Sequence, residues 1–97
     1  MPNENSFQAD LIAELREDYP EWIILKNDPN YLQGFPDILI LAGPKWAALE
    51  TKKEKNSRRR PNQEYYVQLL GEMSFARFIE PENKEEVLYD LQEALRA

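Results

Sequence analysis

The sequence predicts an α/β fold with the order αβββαβα, a mixed four-stranded sheet flanked by helices. Three observations predict it. Two apolar runs, Ile38–Leu41 and Trp46–Leu49, are separated by the turn pair Gly43-Pro44, as in a hairpin. A helical stripe precedes them, with Phe7, Leu11, Leu15 and Tyr19 at intervals of four and Ile12 widening it. After the hairpin a helix, a short strand and a second helix follow one another. A helix between two strands is the usual crossover of a parallel pair.

The first helix is expected over residues 4–19, capped by Asn3 or Asn5 and ended by Pro20. Trp22-Ile23-Ile24-Leu25-Lys26 is β-branched and aromatic, and reads as the first strand. Asn27-Asp28-Pro29-Asn30 is a turn-rich loop, and Tyr31-Leu32-Gln33 leads into the hairpin. Tyr31 is expected as a packed aromatic. Pro61 suits the first turn of the next helix. Tyr66, Leu69, Leu70 and Met73 form its expected core stripe, and Gly71 is a candidate for close packing. Residues 74–80 read as the last strand, stopped by Pro81. The final helix is expected from Asn83 to Arg96, with Asn83 and Glu86 at capping-box spacing.

The hairpin carries the chemistry. Asp37 heads its first strand, and Glu50-Thr51-Lys52 closes its second. Glu50 and Lys52 are two apart, so both point to one face of a strand. In an antiparallel pair Asp37 lies beside them. Two neighbouring carboxylates repel unless a cation lies between them. Mg²⁺ takes oxygen ligands and keeps several waters, and the Thr51 backbone carbonyl offers one more oxygen. Lys52 would then adjoin a metal-bound water and a phosphate. Singly, Pro36-Asp37 is a common turn pair and Glu50-x-Lys52 a common solvated pair. Together, followed by a basic loop, they suit a site for a metal ion and a phosphate.

Pro36-Asp37, twelve residues, then Glu50-Thr51-Lys52 resembles the motif of the PD-(D/E)XK nuclease superfamily. Gly34-Phe35-Pro36-Asp37, Leu49-Glu50-Thr51-Lys52 and Gln63 together resemble the small phage and bacterial VRR-NUC domains, which are similar to Holliday junction resolvases in fold and size. The resemblance implies a glutamate on the first helix completing the metal shell. Glu4 is the first choice, because it shares the inward stripe of Phe7 and Leu11. Glu14 is the second, and Glu17 faces further away. It also implies that Gln63 approaches Lys52 and the metal, an expectation balanced against an exposed glutamine. Gln8, next to Phe7, is a further polar group near the site. The candidate catalytic residues are thus Asp37, Glu50, Lys52, Glu4 and Gln63. The candidate metal ligands are Asp37, Glu50, the Thr51 carbonyl and Glu4, for Mg²⁺ with Mn²⁺ as a substitute.

Composition bounds the chemistry. The 97 residues are expected to form one domain, and at 42% hydrophobic they bury a modest core. Cysteine and histidine are both absent. That excludes disulfides, zinc–thiolate sites, Ser-His and Cys-His catalysis and any histidine-ligated metal. No apolar run approaches the roughly 18 residues that span a membrane. The polar start Met1-Pro2-Asn3-Glu4-Asn5 lacks a signal-peptide pattern. A cytoplasmic location is therefore expected, and the resemblance, with the small size, implies a phage, prophage or bacterial source.

Net charge is −6, which by itself disfavours a nucleic-acid partner. From Thr51 to Arg60, however, six basic residues face one acid, a local +5 that leaves −11 on the remainder. Lys53, Lys55, Arg58, Arg59 and Arg60 are the candidate DNA contacts beside Lys52. The reading is a Mg²⁺-dependent endodeoxyribonuclease acting on DNA. The resemblance implies a homodimer selective for branched DNA such as a Holliday junction. Two rivals remain. A catalytically silent nucleic-acid-binding module would use the basic loop alone, and an acidic interaction protein would bind no DNA.

Overall fold

A computed structural model describes residues 4–96; the Glu4 side chain and Asn3 lie outside the described residues. The elements are α1 (Glu4–Asp18), β1 (Ile23–Lys26), β2 (Ile38–Ala42), β3 (Lys45–Thr51), α2 (Pro61–Met73), β4 (Phe75–Ile79) and α3 (Lys84–Leu95). The order αβββαβα matches the sequence expectation.

The four strands form one sheet in the order β1-β2-β3-β4. The first two pairings are antiparallel. β3 and β4 are parallel, joined by α2 as the crossover. The β2–β3 hairpin turns on two residues. Gly43 holds φ +64°, and Pro44 follows with its ring-restricted negative φ. Glycine is suited to the first position because an L side chain there is strained.

Alternation along β3 divides the molecule into two layers. Ala47 and Leu49 face the main core, with Ile24, Ile38, Ile40 and Ile79 from the other strands. α1 covers that face through Leu11, Ile12 and Leu15, and α3 through Val87, Leu91 and Leu95. Truncating one of these buried aliphatics to Ala costs about 2–5 kcal/mol. Ala48 and Ala76 face the other way, beneath Leu70 of α2.

Four expectations need correction. The α2 stripe is narrower than its spacing implied: Leu70 is buried, whereas Leu69 and Met73 are exposed. α2 crosses only the β3–β4 side of the sheet, so its inward face is Tyr66, Val67 and Leu70. Gly71 is not forced by packing, since an added Cβ would lie an ordinary 3.5 Å from the Ala76 carbonyl oxygen. Tyr31 is not packed but 90% exposed. The Asn83–Glu86 capping box does not form. Asn83 instead accepts a bond from Glu80 N at 2.8 Å and donates to Phe78 O at 3.1 Å, bracing the turn between β4 and α3.

Candidate active site at the open end of the hairpin

The β2–β3 register fixes the placement of the acids. Ile38 pairs with Leu49, so Asp37, one step before β2, lies beside the Glu50-Thr51 end of β3. The Asp37 carboxylate is anchored through Oδ2, which accepts Thr51 N at 3.0 Å and Thr51 Oγ1 at 2.7 Å. In a strand, a residue's N–H and C=O point to the same edge. The Thr51 carbonyl therefore shares the edge on which its N–H meets Asp37. The next residue points the other way, and Lys52 N donates to Ile79 O of β4 at 2.8 Å.

Glu50 and Lys52 are both buried, at 2% and 7% exposure. Charged groups persist in such places only when paired or hydrogen-bonded. Gln63, at the third position of α2, serves both. Its Nε2 donates to Glu50 Oε2 at 3.1 Å, and its Oε1 accepts Lys52 Nζ at 2.8 Å. Lys52 Nζ also donates to Arg58 O at 2.9 Å. Gln63 Oε1 further accepts Arg60 N at 3.0 Å, the half of a capping box that an arginine N-cap allows. One amide thus ties the helix start to both charged ends of the Glu50-x-Lys52 triplet.

The basic loop lies directly alongside. Lys53, Lys55, Arg58, Arg59 and Arg60 are all exposed. A cleft of about 530 Å³ is lined by Lys52, Lys53, Arg58, Arg60 and Gln63, among others. The loop is partly pinned. Ser57 Oγ accepts Glu54 N at 3.1 Å. The Arg59 guanidinium stacks 4.1 Å above the Phe78 ring, and Phe78 pairs with Glu50 across the sheet. The basic charge is therefore held beside the acids.

The residues leading into Asp37 show why the hairpin starts where it does. Asn27 donates from Nδ2 to Pro36 O at 2.7 Å, and its backbone N donates to Asp37 O at 2.7 Å. Gly34 holds φ +87°. A Cβ there would come within 2.6 Å of Asn62 Cγ in the first turn of α2. The motif loop and the helix bearing Gln63 are thus pressed together. Asn27 is legible in the sequence only as a turn former. Nothing in its spacing announces the clamp on Pro36 and Asp37.

Glu14 lies elsewhere. Its Oε1 meets Lys84 Nζ at 2.6 Å, joining α1 to α3. Glu4 begins α1, with its side chain outside the described residues. Lys26 is exposed and pairs with Ile38, one residue from Asp37. Gln8 is buried, and its Nε2 donates to Thr51 Oγ1 at 2.9 Å.

No protein-family model matches the sequence, and no curated protein matches it. A solved structure does. It is a VRR_NUC domain protein, with a TM-score of 0.69 over 97% of this chain and 88% of its own, at 18% identity. The fold is that of a VRR-NUC domain. At that identity the likeness concerns backbone architecture, so the chemistry rests on this chain's own residues.

The donor set on this VRR-NUC fold fits a hard cation. Asp37, Glu50 and the Thr51 carbonyl offer oxygen only, the ligand type Mg²⁺ takes. Among the described residues no group of three or more acidic, histidine or cysteine side chains converges as a metal cage. Mg²⁺ does not need one, because it commonly binds through one or two carboxylates and keeps its remaining waters. Among the described residues, no helix is long and apolar enough to cross a membrane.

Proposed function

We propose that this chain is a Mg²⁺-dependent endodeoxyribonuclease that hydrolyses phosphodiester bonds, selectively in branched DNA. The observation that carries the reading is the single amide of Gln63 binding both Glu50 and Lys52, at a strand end where the Asp37 carboxylate is bound to Thr51. A solvated surface pair would not be buried and bridged in this way. The VRR_NUC structural neighbour supports the reading at the level of fold.

Asp37, Glu50 and the Thr51 carbonyl, with Glu4 directly or through water, would hold the ion. When bound, Mg²⁺ would supply Lewis acidity at the phosphate and a water of lowered pKa. Lys52 would place its ammonium against the scissile phosphate and stabilise the charge that builds there. Gln63 and the Arg58 carbonyl would keep that ammonium from wandering. Lys53, Lys55, Arg58, Arg59 and Arg60 would grip the DNA backbone through their positive charge. So small a chain leaves little surface for reading base sequence. We therefore favour recognition of DNA shape, with a homodimer presenting two sites to a four-way junction.

Cleavage of a labelled four-way junction, a linear duplex and a single strand tests this, each with Mg²⁺, Mn²⁺ or EDTA. Wild type runs beside Asp37→Ala and Lys52→Ala. Metal-dependent junction cutting that both variants lose is the expected result. Cutting of linear DNA alone would remove the junction preference and the dimer argument. Binding without cutting under any metal would leave a silent binding module built on the basic loop.

A further inference from the structure

A buried chain of hydrogen bonds runs from α1 to the Asp37 carboxylate. Gln8 is only 5% exposed, and its Nε2 donates to Thr51 Oγ1 at 2.9 Å. Thr51 Oγ1 lies 2.7 Å from Asp37 Oδ2. The direction of this chain is fixed by chemistry. An ionised carboxylate can only accept, and a hydroxyl has one proton to give. The Thr51 proton therefore goes to Asp37, and a lone pair of Oγ1 receives Gln8. The same Oδ2 accepts Thr51 N at 3.0 Å. Among the described residues Oδ1 of Asp37 accepts no hydrogen bond, so it is the oxygen left for a cation.

Gln8 is out of place as a packing residue. It lies on the inward side of α1, one residue after Phe7 and three before Leu11, where an apolar side chain would fill the space without desolvating an amide. Burying an amide is costly unless it is bonded, and the bond it makes leads to Asp37.

We propose that Gln8 is a positioning residue for metal binding: it orients the Thr51 hydroxyl toward Asp37 and so locks the carboxylate in its ligating orientation. The proposal rests on the metal-dependent nuclease reading. It assigns the first helix a part in the site that does not depend on a glutamate.

The test is a Mn²⁺ titration of the DNA-free protein by calorimetry, with thermal melting and single-turnover cleavage alongside. The variants are Gln8→Leu, Thr51→Val, the double variant and Thr51→Ser. Removing an outer partner of a metal ligand typically costs 10–100-fold in affinity. Gln8→Leu and Thr51→Val are each expected to weaken Mn²⁺ binding by about 10-fold or more. The double variant should be no weaker than the worse single one, because both break the same chain. Thr51→Ser, which keeps the hydroxyl, should bind within about twofold of wild type, well inside that cost. A Gln8→Leu protein that melts lower yet binds Mn²⁺ as wild type would overturn the proposal and leave a structural role. Additive losses would overturn the shared chain. A wild type that takes up no metal would overturn the nuclease reading, and the role of Gln8 with it. Wild type that binds metal while Gln8→Leu binds it equally removes only the role of Gln8.

Discussion

Gln63 Oε1 receives the Lys52 ammonium at 2.8 Å, from the first turn of α2 to the last residue of the Glu50-Thr51-Lys52 triplet. The same amide donates to Glu50 at 3.1 Å. A helix start, not the strand alone, sets where the ammonium stands. Gln63→Ala should therefore lower single-turnover cleavage about 10–100-fold, the usual effect of removing a supporting partner. Melting should fall by several degrees, because the lost cap bond is worth about 1 kcal/mol and buried Glu50 and Lys52 each lose a partner. The loss of rate should exceed what that fall in stability explains. Gln63→Glu keeps an acceptor for Lys52 but sets a second carboxylate against Glu50, and like charges at close range repel. It should not rescue activity. Quench-flow rates with thermal melts on the same preparations check both outcomes.

Lys52 itself is the sharper test of chemistry against binding. Its aliphatic stem is buried, and its ammonium has two protein acceptors. Lys52→Ala should cut cleavage by about 10²–10³-fold, comparable to losing one fixed donor to a developing oxyanion. DNA affinity should hold within a few fold, since the exposed loop cations remain. Gel-shift titration beside single-turnover rates separates the two. Equal loss of binding and cutting would reassign Lys52 to substrate grip.

The basic loop should announce itself through salt. Replacing Lys53, Lys55 and Arg58 by Gln should flatten the dependence of log affinity on log salt by about 0.9 for each phosphate that is no longer neutralised. Arg59→Ala removes a cation held over Phe78 at 4.1 Å and should act more strongly than any one of the others. Fluorescence anisotropy across a salt series reads the slope directly. An unchanged slope would exclude the loop from the DNA interface.

Gly34 is required by both its conformation and its neighbour. Its φ is +87°, and an added Cβ would meet Asn62 Cγ at 2.6 Å and Cβ at 2.8 Å. Gly34→Ala should cost about 1–2 kcal/mol from the left-handed backbone alone, more with the clash. For a domain this size that lowers Tm by about 4–8 °C per kcal/mol. Adding Asn62→Gly should recover the steric part and not the backbone part. Calorimetric melts of the two single variants and the double variant measure the split.

Asn27 offers a different route to Asp37. Its side chain holds the Pro36 carbonyl at 2.7 Å, and its backbone holds that of Asp37 at 2.7 Å. Asn27→Ala keeps the backbone bond and loses the side-chain one, at a cost of about 1 kcal/mol. Mn²⁺ affinity should fall by more than that stability loss alone implies, because Asp37 loses its upstream anchor. Calorimetric titration of the folded variant checks it.

Much of this is legible in the chain because it is a local property. Helical stripes, short apolar or β-branched runs and turn signals place all seven elements, since each follows from local backbone geometry. Asp37, Glu50, Lys52 and Gln63 stand out through a motif; the register sets Asp37 beside the end of β3, and the start of α2 brings Gln63 to Glu50 and Lys52. Other features escape for equally physical reasons. The α2 stripe is narrower than its spacing implies, because periodicity shows that a face is apolar but not how much sheet lies beneath it. Tyr31 is exposed rather than packed, because apolarity alone does not say whether a loop residue finds a partner. Asn83 gives up its capping box for bonds to Glu80 and Phe78 that no spacing rule encodes.

What the chain by itself determined is its menu of elements and the kind of chemistry open to it. Without histidine or cysteine, histidine-based and thiol catalysis are closed, and the motif points to carboxylates, lysine and a hard cation. What only the tertiary structure decided is which polar side chains act together. Gln8 meets Thr51 across 43 positions, and Lys84 meets Glu14 across 70. Pairings of that separation leave no periodic trace in the sequence. They exist because burying the apolar faces of α1 and α3 against one sheet brings distant polar groups within hydrogen-bond reach. Once there, away from water, each must find a partner.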